Sequence, residues 1–301
     1  MATSVMRART LGYKRNTQLI HLLILIFVGS ICAIWVIPLL MILAAAFTEE
    51  STLVNTGYRL IPPQFSLEAF RWLWQDPSIL ISSYGVSILV TSGGTIGSLF
   101  IMSLLAYALS RKTFKLRGLL TFYVFFTMLF NGGLVPYYIN MSRVLGLKNS
   151  ILALILPYLV VPFYVLLLRT YFSTLPQDLF DAARVDGASE WHIFFQIVIP
   201  LSTPALATVG LFSMLTYWND MYQALLFIEN QRMFPLQYSL YKLLVNTQML
   251  NELTVQTGTP VPHLSVTMAV AVLALAPVLV AFLFVQKYFV RGITLGSIKG
   301  D

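Results

Sequence analysis

The sequence predicts an all-α polytopic membrane protein with six transmembrane helices and a short helical elbow outside the bilayer. Three observations carry that prediction. Hydrophobic residues make up 57% of the 301 residues and charged ones only 10%, where a soluble domain carries roughly 25%. Six apolar runs reach the ~20 residues that a helix needs to cross a bilayer. Between two of these runs, DAARVDGASEWHIFFQIVIP (181–200) places Asp181, Asp186 and Glu190 in an amphipathic stretch.

The elements follow in chain order. A basic N-terminal tail (1–18) holds Arg7, Arg9, Lys14 and Arg15. The apolar run after it, 20–47, is longer than a cleaved signal core and reads as a retained first span. Cys32 lies inside it as the lone cysteine, so no disulfide framework forms within the chain and no Cys/His metal spacing exists. His21, His192 and His263 are far apart in sequence and form no set. The connection 48–79 contains Ser66, placed to cap a short helix that buries Phe70 and Leu73. The remaining spans are 80–109, 118–141, 151–172, 203–228 and 265–290; Asn131-Gly132-Gly133 and Pro136 interrupt the third. The connection 229–264 reads as a long polar loop with Thr259-Pro260-Val261-Pro262.

Six spans put both termini on one side. That side then carries Arg7, Arg9, Lys14, Arg15, Arg111, Lys112, Lys115, Arg117, Arg169, Arg184, Lys287, Arg291 and Lys299. The other keeps Arg59, Arg71, Arg143, Lys148, Arg232 and Lys242. Positive charge prefers the cytoplasm, so both termini and the elbow are expected there. The net charge of +7 is thereby accounted for without nucleic acid.

Within the elbow, Thr174-Leu175-Pro176-Gln177 fits a capping box with an early proline, starting a helix that runs to about Val185. Asp178 and Asp181 suit its positive end, and Arg184 is spaced to pair with Asp181. Gly187 is the bend, with Ala182, Ala183 and Ala188 as small neighbours that let another surface approach. Trp191, Phe194, Phe195 and Val198 then form an apolar stripe, Pro200 ends the second helix, and Thr203-Pro204 restarts the next span. Two readings fit this pattern: a re-entry helix lying on the lipid surface, or a knob docked in the groove of a partner.

The segment resembles the EAA loop of ABC importer permeases. Asp181-Ala182-Ala183, Asp186-Gly187-Ala188, Phe194, Ile197 and Pro200 fall at that loop's spacings, with Asp181 where Glu is usual. FNGGLVPYYINMSRVLGLKNSILALILP (130–157), YWND (217–220) and QKYFVRGITLGSIKG (286–300) are similar to carbohydrate-uptake permeases, and the likeness covers nearly the whole chain.

The resemblance implies the type I ABC importer permease fold, with residues 19–79 as the first span and outer loop, 80–291 as the core, and 292–301 as a cytoplasmic tail. It implies a permease subunit of an ATP-driven, binding-protein-dependent oligosaccharide importer in a bacterial cytoplasmic membrane. The partners it implies are a second, related permease, two ATPase subunits and an extracytoplasmic solute-binding protein. Residues 181–200 would be the coupling segment, including Arg184 and Trp191. The tail GITLGSIKG would reach toward the ATPases, and loop 229–264 toward the binding protein. ATP and magnesium would be bound by the ATPases. In keeping with this, the chain has no G-x-x-x-x-G-K-[ST] loop and is expected to be non-catalytic. Gly93-Gly94-Thr95-Ile96-Gly97 reads instead as a site of close helix packing.

Asp220 is the one acid placed inside a span. With Tyr217, Trp218, Asn219, Tyr222 and Gln223 it suits either a sugar path, where rings stack and hydroxyls find partners, or a polar clamp between spans. Asn131, Tyr137, Tyr138 and Tyr158 are further path candidates. The competing function is a self-contained secondary transporter of a small polar solute, which would call for more intramembrane ionisable groups.

Overall fold

The computed structural model describes residues 2–75, 77–254 and 262–297. Among them there is no β-strand, only an isolated antiparallel bridge between Thr48 and Phe65. Helices in chain order are α1 (Ala2–Ala46), α2 (Glu50–Thr56), α3 (Glu68–Leu73), α4 (Pro77–Ser110), α5 (Arg117–Leu129) and α6 (Leu134–Ile139). They continue as α7 (Leu152–Ile155), α8 (Pro162–Ser173), α9 (Gln177–Val185), α10 (Glu190–Ile193), α11 (Ile199–Leu201) and α12 (Thr203–Asn219). The last three are α13 (Tyr222–Phe227), α14 (Leu236–Thr254) and α15 (His263–Ser297).

Among the described residues three stretches are long and apolar enough to cross a membrane by themselves: Ile20–Ala46, Pro77–Ser110 and His263–Phe284. Three more are bent pairs. Arg117–Leu129 with Leu134–Val144 bends by 114°, Leu152–Tyr158 with Pro162–Ser173 by 48°, and Glu190–Leu201 with Thr203–Asn219 by 82°. Counted as one span each, they bring the total to 6.

Each bend has a local cause. At the first, Phe130 is extended, Gly133 has φ +86°, and Asn131 Oδ1 accepts from Gly133 N at 2.8 Å. This is the interruption expected from Asn131-Gly132-Gly133, but it turns the chain rather than dimpling a rod. At the second, Val161 is extended because Pro162 follows it. The third falls at Ser202, so the chain passes through Pro200 within α11 before it turns. Short π-helical stretches, Asn140–Val144 and Phe194–Val198, adjoin the α6 and α11 segments.

By compactness the chain forms two units, residues 1–75 with 250–273, and residues 76–249 with 274–301. In the first, Phe47 stacks on Phe65 at 5.5 Å, and Leu53, Ala69 and Leu73 are buried. The N-cap of α3 is Leu67 rather than the expected Ser66, which lies one residue earlier and whose Oγ accepts from Glu68 N; Leu73 is buried as expected and Phe70 half-buried. Glu50 closes the unit. Its carboxylate accepts from His263 N, Leu264 N, Ser265 N and Ser265 Oγ at 2.7–3.0 Å, satisfying the free amides that start α15.

In the second unit α4 packs between α8 and α12. Small residues permit it: a Cβ on Gly94 would fall 2.6 Å from the Tyr217 ring, whereas Gly93 faces open space. Ser98 Oγ and Tyr217 Oη lie 2.9 Å apart, and their hydrogens are shared between that contact and the carbonyls of Tyr158 and Ile155. The core below comprises Met102, Leu168, Phe172, Phe180, Ile193, Phe194 and Val209. Two of its largest members, Phe180 and Phe194, come from the elbow.

Two sequence expectations are corrected. The connection 229–264 is not an open loop: α14 fills it from Leu236, its N-terminus tied to α4 by Ser87 Oγ accepting from Leu236 N and by the Ser83–Ser239 contact at 2.6 Å. Residues 255–261, including Thr259, Pro260 and Val261, lie outside the described residues. The fifth span does not run to 228, since Asp220 is extended and ends α12. α1 runs without a break through residue 18, and α15 passes Gly292 to Ser297; residues 298–301 lie outside the description.

Candidate functional site

The elbow is built by its sequence as two short helices joined at one left-handed residue. α9 starts after Pro176, but not through a capping box. Thr174 closes α8 and spends its hydroxyl on Tyr171 O at 2.7 Å, while Gln177 Nε2 donates to Asp181 Oδ1 at 3.3 Å. Asp178 sits in the first turn, as expected.

The end of α9 is a Schellman turn. Gly187 has φ +78°, Gly187 N donates to Arg184 O, and Ala188 N donates to Ala183 O at 2.9 Å. A side chain at this φ would be strained, which accounts for the glycine. Ser189 then caps α10, its Oγ accepting from His192 N at 3.3 Å. Thr203 begins α12 one residue after its N-cap, Ser202, and Thr203 Oγ1 donates to Pro200 O.

One side of the elbow belongs to the rest of the chain. Phe180, Ile193, Phe194 and Val198 are buried, so the predicted stripe is split: Phe194 and Val198 face inward, whereas Trp191 and Phe195 stack on each other outside at 6.1 Å. Ile197 is half-buried and Pro200 exposed. The other side is open. Val185 is 88% exposed and Trp191 60%. Ala183, Asp186, Gly187, Ala188, Ser189, His192 and Ile197 line a concavity of about 580 Å³ beside the bend. Asp181 and Ala182 are exposed.

Charge holds the two helices together. Arg184 Nη1 reaches Asp181 Oδ1 at 3.5 Å, as the spacing predicts, and Arg184 Nη2 and Nε reach Glu190 Oε1 at 3.1 and 3.2 Å. Tyr107 Oη donates to the other Glu190 oxygen. Arg111 is only 7% exposed, its guanidinium 3.6 Å from the Phe180 ring centre and 5.0 Å from that of Tyr107. Burial pulls the Arg111 pKa down from its ordinary value. Sequence reasoning missed Tyr107, Phe180 and Glu190 as members of this site, and read Arg111 only as loop charge. No spacing signal links residues about eighty positions apart.

The second group of candidates is drawn together by the break at Asp220. Asp220 Oδ1 accepts from Tyr222 N and Gln223 N at 3.1 and 3.3 Å, capping α13, and from Tyr158 Oη at 3.0 Å. Gln223 donates to Tyr158 Oη at 3.1 Å and accepts from Tyr137 Oη at 2.5 Å. Tyr217 and Trp218 are buried; the Trp218 indole donates to Ala274 O at 3.1 Å. Tyr138 stacks on Phe227 at 5.6 Å. Asn219 and Asn131 are exposed, and Asn131 lies apart from the network at the 114° bend. Among the described residues no group of His, Cys, Asp or Glu could hold a metal ion.

Comparison with known proteins gives a consistent set of likenesses. Residues 5–295 match the family model described as binding-protein-dependent transport system inner membrane component. The polygalacturonan/rhamnogalacturonan transport system permease protein YtcP of Bacillus subtilis (strain 168) is 39% identical over 287 residues, covering 95% of this chain and 100% of that one. Protein LplC of the same organism is 37% identical, covering 92% and 93%. The crystal structure of a bacterial ABC transporter involved in the import of the acidic polysaccharide alginate matches with TM-score 0.78 and 28% identity, over 91% of this chain and 98% of that one.

Proposed function

Because the chain belongs to the family of binding-protein-dependent transport inner membrane components, and is a permease subunit of a sugar ABC transport system, we propose that its elbow, residues 181–200, couples it to a separate ATPase. One observation carries this reading. The elbow is anchored to its own spans on one side, through Phe194 and through Phe180, which precedes it in α9, and offers an apolar, solvent-facing tip on the other, with Val185, Trp191 and Phe195. A helix lying on lipid would not need the ion pairs that stiffen its bend. The family membership replaces the alternative of a self-contained secondary transporter.

The mechanism needs no catalytic group in this chain. Two ATPase subunits bind ATP and magnesium and close on each other; the docked elbows follow; the pathway between this permease and a related second one alternates its opening. Nucleotide shifts the two states only as far as it binds one better than the other. An extracytoplasmic binding protein delivers the sugar. The protein is a bacterial cytoplasmic-membrane permease with both termini inside, as the distribution of basic residues supports. In this reading the end of α15, residues 292–297, reaches toward the ATPases, and the segment around α14 faces the binding protein.

The substrate is an acidic oligosaccharide. YtcP is described for polygalacturonan and rhamnogalacturonan, and the solved transporter for alginate. For the membrane interior, the bonds that tie Tyr137, Tyr158, Asp220 and Gln223 to one another support a clamp joining three spans. Tyr217 and Trp218 are buried in the packing beside it, whereas Asn131 and Asn219 are exposed and each makes only a local bond, to Gly133 N and Leu215 O, so they are the candidates that line a path.

A cysteine at Ala188 should cross-link to the ATPase in membranes, and Val185→Glu should remove that capture and ATP-driven uptake while leaving the permease inserted. Capture that survives Val185→Glu unchanged, or a complex whose cross-links avoid residues 181–200, sinks the reading.

A further inference from the structure

From the contacts around Glu190 we propose that Tyr107, Arg111, Phe180 and Glu190 form a strut. It makes the elbow and α4 one rigid body, so that displacement of the elbow reaches the membrane-spanning part without slack. The inference rests on the coupling role of the elbow and adds positioning residues to it.

Three connections converge on the end of α4, each involving Tyr107. The Glu190 carboxylate is divided: one oxygen takes Tyr107 Oη and the other takes Nε and Nη2 of Arg184, so α10, α9 and α4 meet at one side chain. The Arg111 guanidinium lies between two rings, one from α9 (Phe180) and one from α4 (Tyr107). The Tyr107 ring also contacts Phe194, 5.4 Å away, from the segment after α10. The arrangement is costly to build. Arg111 is buried, and its Nη1 finds no acceptor among the described residues. A lysine there would lose the flat stacking surface. A further bond, Arg169 Nε to Leu109 O at 3.3 Å, ties α8 to the same end of α4.

Without the hydrogen bonds to Glu190 the apolar contacts of Phe180 and Phe194 still hold the elbow in place, but they do not fix its angle. Non-directional packing keeps groups together, whereas hydrogen bonds to a charged carboxylate fix orientation. Removing one such bond should make a tilted elbow roughly tenfold more frequent, about what a partly exposed charged hydrogen bond is worth.

The test uses the assembled transporter in lipid nanodiscs, with the native Cys32 replaced by Ser and spin labels on Asp178→Cys and Ile88→Cys. Both positions are exposed, one on α9 and one on α4. The probe is ATP with vanadate against no nucleotide. In the parent protein the inter-label distance should be one narrow distribution, the same in both states. Tyr107→Phe, which keeps the ring and its packing, and Glu190→Gln should each broaden it and make the two states differ. Variants indistinguishable from the parent overturn the proposal, as does a parent distance that shifts with nucleotide. Failure of the Ala188 cross-link would count against the coupling role, yet broadening without nucleotide would still show the strut.

Discussion

Gly94 offers the sharpest check on the packing of α4. A Cβ built there falls 2.6 Å from Cζ and 2.7 Å from Cε1 and Cε2 of Tyr217. Carbon atoms at rest sit about 3.5–4.0 Å apart, so ring and helix would have to separate by roughly 1 Å. The ring cannot slide sideways, because Tyr217 Oη is held against Ser98 Oγ and Ile155 O. Overpacking of this kind costs about 1–3 kcal/mol. Alanine also has an opposite effect, stabilising a helix by about 0.5–1 kcal/mol over glycine. Gly93 separates the two, since a Cβ there meets nothing within 4 Å. Gly93→Ala should therefore raise the unfolding temperature of the detergent-solubilised protein and Gly94→Ala should lower it. The difference, about 1–3 kcal/mol, isolates the clash. In a Tyr217→Ala background the two alanines should behave alike. Equal effects in the parent background would refute the close approach of α4 and α12.

Glu50→Ala should cost about 1–2 kcal/mol, because it removes the acceptor for the first amides of α15; the check is faster hydrogen exchange at His263, Leu264 and Ser265. Lys148 lies 2.7 Å from Glu229 and holds that carboxyl below its ordinary value. The depressed value means the pair stabilises the fold above the ordinary carboxylate range, and its contribution fades as pH falls through the folded-state value. Lys148→Met should move the Glu229 titration upward, with little change in stability because both groups face solvent.

Much of this was legible in the residues, but unevenly. Hydropathy gave the spans, since burial in lipid demands uninterrupted apolar runs, and the glycine at 187 gave the bend, since only a left-handed residue closes such a turn. Asn131-Gly132-Gly133 announced an interruption but not its 114° size, which depends on how the flanking halves pack. α14 was hidden because LQYSLYKLLVN mixes polar and apolar residues and is fixed by distant partners, Ser83 and Ser87. Asp220 read as an acid within a helix because the helix-forming residues on either side gave no stop signal; its own side chain, by capping α13, makes the break. Tyr107, Arg111 and Glu190 come together only through tertiary folding, which no local pattern records.

Val185, Trp191 and Phe195 stand bare at the elbow's tip. On the proposed docking, copies of this subunit made in excess of the ATPase would present an adhesive surface to chaperones and proteases, and balanced synthesis of the subunits would protect them. For the same reason, recombinant production should begin from co-expression of the whole complex, with an orphan preparation expected to self-associate through that tip.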